Sequence, residues 1–129
     1  MKSFALFAFS IALAACGGDD TVAKMDSGMG SGSGSGANKV TTVTCSGTPK
    51  MVSTTDGVNM FSPASTSITV GEMVEFKTSA THNVIPGLAP TDPGLMVGTS
   101  ADVCLKFTAA GTYNFICQFH GFKGTIVVN

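Results

Sequence analysis

From residue 39 to the end, no stretch of this sequence carries an apolar repeat near 3.6 residues, and short runs of Val, Ile, Thr and Phe are cut by Gly, Pro or Asn. That pattern excludes a helical bundle and restricts the chain to short strands joined by tight turns. Residues 40–45 form the first run, and 50–53 and 58–61 are weaker candidates around the Asp56-Gly57 turn signal. Ile68 and Val70 alternate with Ser67 and Thr69, and Gly71-Glu72 then leads into 74–78, which reads as a hairpin-like alternation. Residues 81–85 are extended up to Pro86-Gly87, and the Pro- and Gly-broken stretch 89–100 is a loop with room for a short helical turn. Val103, Leu105 and Phe107 share one strand face; Ala110-Gly111 turns the chain into Tyr113, Phe115 and Cys117; residues 124–128 are a last strand. About seven or eight short strands with frequent turns predict an all-β antiparallel sandwich or barrel.

The residues before 39 read differently. Residues 1–15 have the layout of a signal peptide: a short positive start at Lys2, an apolar run, and the small-residue exit Leu13-Ala14-Ala15 before Cys16. Leu-Ala-Ala-Cys resembles a bacterial lipobox, in which Cys16 would take the lipid and become the mature N-terminus; an ordinary cleaved signal is the other reading. Residues 16–38 are rich in Gly, Ser and Asp and have nothing to bury, so they read as a flexible lipid-anchored linker with a root-mean-square reach on the order of 25 Å. The predicted folded domain is 39–129. The expected localisation follows: exported, held to a membrane by lipid alone, and facing the periplasm or the cell exterior.

Seven Lys, no Arg and a net charge of −1 exclude the basic footprint of a nucleic-acid binder. Two His exclude any mechanism that needs a large histidine cluster. If Cys16 carries lipid, three of the four Cys remain, and an odd number in an exported protein calls for one free or metal-bound thiol. Cys117 fills that role best, because Cys117-Gln-Phe-His120 sets it close to an imidazole. Cys45 and Cys104 are then left for a disulfide, with a Cys117 bridge as the competing pairing.

His82, Cys117 and His120 all fall at strand ends or in turns. One thiolate and two imidazoles are a soft, three-coordinate set suited to copper in both oxidation states. Cys-x-x-His alone is a weak signal, and each His read by itself could equally be a surface or capping residue.

A broader pattern surrounds these residues. Phe61-Ser-Pro63, Ile68-Thr-Val-Gly-Glu72, Val74-Glu-Phe76, His82-Asn-Val84, Gly111-Thr-Tyr-Asn-Phe-Ile-Cys117, His120 and Gly124-Thr-Ile-Val-Val128 follow one another in order across 39–129. Together they resemble the plastocyanin and amicyanin branch of the cupredoxins. The resemblance implies a Greek-key β-sandwich in which His82, Cys117 and His120 hold one type 1 (blue) copper ion that carries single electrons. It also implies that Asn83 ties the His82 segment to the Cys117 loop and so keeps the ligands oriented. The family usually supplies a weak axial Met a few residues beyond the second His. Here His120 is followed by Gly-Phe-Lys-Gly-Thr, and Phe122 or Lys123 stands at that place. Three arrangements follow: Phe122 packed over the axial direction, weak approach of the Thr81 carbonyl, or Met96 brought in from elsewhere. The first is expected, and it should raise the reduction potential, since the cuprous state needs fewer ligands.

The expected function is therefore electron transport between redox partners outside the cytoplasm, not enzymatic catalysis. The protein is expected to be a monomer with no nucleic-acid partner and no membrane contact beyond its lipid. Partners are expected to dock transiently at an apolar patch near His120, for which Phe119, Phe122, Pro86, Leu88 and Leu95 are candidates. A copper storage or delivery protein on the same fold is the principal alternative. Zinc on the same three ligands plus water, and a metal-free structural lipoprotein, are the others.

Overall fold

The computed structural model describes residues 37–129. The expected signal segment 1–15, Cys16 and nearly all of the expected linker 16–38 lie outside the described residues. Nine strands follow in chain order: β1 (Val40–Val43), β2 (Lys50–Thr55), β3 (Val58–Ser62), β4 (Ser65–Ile68), β5 (Met73–Lys77), β6 (Ile85–Pro86), β7 (Asp102–Phe107), β8 (Gly111–Ile116) and β9 (Lys123–Val128). They form two sheets, one of five strands in the order β1-β7-β5-β2-β3 and one of four in the order β4-β9-β8-β6. The all-β sandwich expected from the sequence is what the chain builds, and both weak strand candidates beside Asp56-Gly57 form.

Alternation produces the core. Val74 and Phe76 on β5, and Leu105 and Phe107 on β7, point inward from the larger sheet. Tyr113 and Phe115 on β8, and Ile126 and Val128 on β9, meet them from the smaller one. Burying each large side chain contributes about 1.5–3 kcal/mol. Phe115 is at the centre, edge-on to Phe61 at 4.7 Å and to Phe76 at 5.4 Å. Gly124 lies against its ring, and a Cβ there would collide with Phe115 Cζ.

Three local expectations are corrected. Ile68 and Met73 do not belong to one hairpin: β4 pairs in parallel with β9, whereas β5 pairs with β7 and β2. The turn between them changes sheets. Val70 N–H donates to the Asn129 carbonyl of the smaller sheet, and Gly71 N–H to the Phe107 carbonyl of the larger. The Glu72 carboxylate accepts the amide and hydroxyl of Thr69, which holds the crossover and keeps Glu72 below its ordinary pKa. Alternation reports which side of a strand is apolar, but not which strand it will pair with. Secondly, most of 81–85 is not strand, because the preceding loop gives its hydrogen bonds to side chains and to residues 97–101. Only Val84 bridges to Val97, and β6 is two residues long. Thirdly, residues 89–100 form bends and turns without a helix.

Cys45 and Cys104 are bonded, with Cα atoms 5.2 Å apart. The pairing follows from register: β1 runs antiparallel to β7 with Val43 opposite Cys104, so the chain just past β1 reaches the neighbouring strand. Cys117 is the free cysteine among the described residues.

Candidate metal centre

The two segments that carry the site leave neighbouring parts of the sandwich at the same end. Cys117 follows β8 directly and opens a tight loop into β9. Cys117 N–H donates to the Phe122 carbonyl at 2.9 Å, and Gly121 N–H donates to the Cys117 carbonyl at 2.8 Å. Gly121 has φ of +72°, which turns the chain immediately after His120 at little steric cost. His82 comes from the irregular loop between β5 and β6.

The structure brings His82, Cys117 and His120 together. His82 Nδ1 lies 3.1 Å from His120 Nδ1, and Cys117 Sγ lies 3.8 Å and 3.7 Å from those two nitrogens. The point equidistant from three atoms so spaced lies about 2 Å from each, the length of a first-row metal–nitrogen bond. Two nitrogens and one sulfur facing one point fit a soft transition-metal ion. Cys117 and His82 are fully buried, while His120 is exposed at the surface.

Phe122 is the aromatic neighbour of both imidazoles. Its ring lies nearly perpendicular to His82 with centroids 5.0 Å apart, and stacks at 24° on His120 with centroids 6.3 Å apart. Phe61 backs it at 4.6 Å, so the ring is half-buried between the core and the cluster. No Asp or Glu joins the three residues among the described part of the chain. Met96 is 63 % exposed. Thr81 is exposed, and its amide and hydroxyl both donate to Asp56 Oδ1, at 3.0 and 2.7 Å.

Asn83 joins the two segments. Its Oδ1 accepts the Gln118 N–H at 2.9 Å, and its Nδ2 donates to Gln118 Oε1 at 3.2 Å. The reciprocal amide pair fixes the residue after His82 to the residue after Cys117. Leu95 departs from the expected surface patch: it is fully buried in the core, because Gly94 packs against the β1 backbone and draws the loop inward. Leu88 and Phe119 are 77 % and 61 % exposed.

Parsley (Petroselinum crispum) plastocyanin A/B is 32 % identical to this chain over 89 residues, which are 57 % of this chain and 92 % of the relative. Carrot (Daucus carota) plastocyanin is 32 % identical over 88 residues, 57 % of this chain and 91 % of the relative. The chain belongs to the plastocyanin family of cupredoxins. Among solved structures, amicyanin from Paracoccus versutus superposes on this cupredoxin with a TM-score of 0.55 at 20 % identity, covering 71 % of this chain and 99 % of amicyanin. An oxidized amicyanin mutant gives 0.56 at 22 % identity, covering 70 % and 99 %. No family model matches the chain.

Sequence reading missed the groups that hold the cupredoxin loop before His82. Asp56 was legible only as a turn former, and nothing in its spacing links it to Thr81, 25 residues away. Gln118 lay inside the Cys-x-x-His motif, but its exchange with Asn83 depends on two loops meeting in space.

Proposed function

We propose that this cupredoxin is a one-electron carrier whose His82, Cys117 and His120 hold a single type 1 copper ion. The convergence of one thiolate and two imidazole Nδ1 atoms on a common point carries the reading. Bound copper would supply the one-electron couple. Three soft donors can serve both of its oxidation states, and a thiol and an imidazole closed off from solvent would keep water away from the metal. The Cys117–Phe122 backbone ring and the Asn83–Gln118 pair hold the donor geometry before any metal arrives. A frame that is already formed has little to rearrange when the charge changes.

Phe122 supports the absence of a fourth side-chain ligand. The residue that packs on both imidazoles offers a hydrocarbon ring and no donor atom. In this reading three residues would hold the copper with no fourth side-chain donor, which would favour the cuprous state and raise the reduction potential. His120 is the exposed ligand, and Phe119 beside it in the chain, also exposed, gives the surface an apolar character where a redox partner would dock. Leu88 lies farther off alongside β8, where its carbonyl accepts a hydrogen bond from Asn114 Nδ2. The disulfide supports an exported protein, in keeping with the lipobox-like Cys16.

Copper loading tests the proposal. The loaded protein should show intense absorption near about 600 nm and the narrow paramagnetic signature of a copper thiolate. Cys117→Ser should abolish the colour. A colourless wild-type protein, or a coloured Cys117→Ser variant, would overturn the assignment.

A further inference from the structure

A metal-binding histidine is ordinarily oriented by a hydrogen bond from its other ring nitrogen to a carboxylate, a carbonyl or water. His82 departs from this. Its Nδ1 faces Cys117 and His120, while Nε2 is fully buried and has no hydrogen-bond partner. The ring must be oriented by its packing and by the backbone that carries it.

That backbone belongs to no strand, but it is clamped on both sides. Downstream, Asn83 is paired with Gln118. Upstream, the clamp comes from the β2–β3 hairpin. β2 and β5 run parallel, with Ser53 opposite Lys77, so the turn after β2 lies beside the loop after β5. Thr54 Oγ1 there accepts the Ser79 N–H at 2.8 Å. Asp56, at the tip, accepts both the amide and the hydroxyl of Thr81 on one carboxylate oxygen. A charged acceptor makes these stronger than neutral hydrogen bonds, and they end on the residue immediately before His82. By contrast, the local turn bond from His82 N–H to the Ser79 carbonyl is long, at 3.4 Å.

We propose that Asp56 is a positioning residue for His82: by fixing Thr81 it sets the direction of the imidazole whose far nitrogen, Nε2, has no hydrogen-bond anchor. The role in metal binding rests on the copper reading above; the role in orienting His82 is a property of the metal-free chain as well. The test compares Asp56→Ala, Asp56→Asn and Thr81→Val in the full-length protein, with Thr108→Val as a control. The control removes an exposed hydroxyl bond to the Lys39 carbonyl at the opposite end of β8. In copper-loaded protein, Asp56→Ala should shift the visible and paramagnetic spectra and speed copper loss to a chelator about tenfold, the low end for loss of a group that orients a ligand. Asp56→Asn keeps an acceptor and should recover most of the wild-type behaviour. Thr81→Val should fall between them, and Thr108→Val should leave the spectra alone. In metal-free protein, the nitrogen and proton resonances of the His82 ring should move in Asp56→Ala and stay in place in the control. If Asp56→Ala leaves the His82 resonances where they are, or moves them no more than the control does, the inference is wrong. If wild type takes up no copper while those resonances still respond to Asp56, the copper assignment fails and the positioning role stands.

Discussion

Two regions of this sandwich are held by different means. Around β1, β7 and β5 the chain is fixed redundantly, by two antiparallel ladders with Cys104 paired in both and by a disulfide across one of them. In the loops that follow β5 and β8, the proposed ligands stand outside the strands, and side-chain hydrogen bonds fix the segment around His82. The first region carries stability. The second would carry the chemistry, and it is well defined because strands that are themselves rigid bring a few polar groups into register.

The largest effect should come from breaking the redundantly held region. Replacing Cys45 and Cys104 together by Ala should cost about 4 kcal/mol, the chain-entropy value for a loop of this length, measured by urea unfolding. The copper spectrum of the folded fraction should not change; a spectral change would mean that the two regions are coupled. Gly124→Ala probes such coupling on purpose, because its Cβ would press on Phe115, which touches Phe61, which in turn touches Phe122. It should destabilise the fold by about 1–3 kcal/mol and, unlike loss of the disulfide, perturb the copper spectrum. Phe122→Met acts most directly on the site, although it also removes the ring packed on Phe61. It should lower the reduction potential by about 60–120 mV, one to two tenfold steps in the relative affinity for the two oxidation states, as read by redox titration. An unchanged or higher potential would count against a trigonal site.

The smallest effect concerns acid. Asp56 is held below its ordinary value of 3.8, chiefly by the Thr81 hydroxyl. A carboxylate lowered on folding stabilises the native state above its unfolded pKa, and this support is lost as pH falls through the folded value. The upstream clamp should therefore survive to below pH 3.8, with the Thr81 amide resonance moving only beneath that point. A transition of that amide above it would show that the carboxylate is not the group that holds Thr81.

Much of the site was legible before any coordinates. His82, Cys117 and His120 stand out because the chain has so few residues able to bind a soft metal, and Cys-x-x-His is local enough to be read directly. The Cys45–Cys104 disulfide was the expected pairing once both Cys16 and Cys117 were set aside, with a Cys117 bridge as the alternative, and it is the pairing the structure forms. The failures share one character. The β4–β5 segment has the alternation of a hairpin, yet its strands join different sheets; Leu95 looks like a surface apolar residue in a loop, yet Gly94 lets that loop pack into the core. Asp56 has all the marks of a turn former, and its second role appears only when a parallel strand pair sets its turn beside Thr81.

The sequence by itself determined the class of fold, most of the strands and which few residues could make up a soft metal site, because periodicity and residue chemistry are local properties. Which strands pair, where the sheets are crossed, and what holds His82 without a hydrogen bond on its far nitrogen were decided by the tertiary structure. Those are matters of long-range register, in which the energy of a contact depends on what the rest of the chain has already brought near.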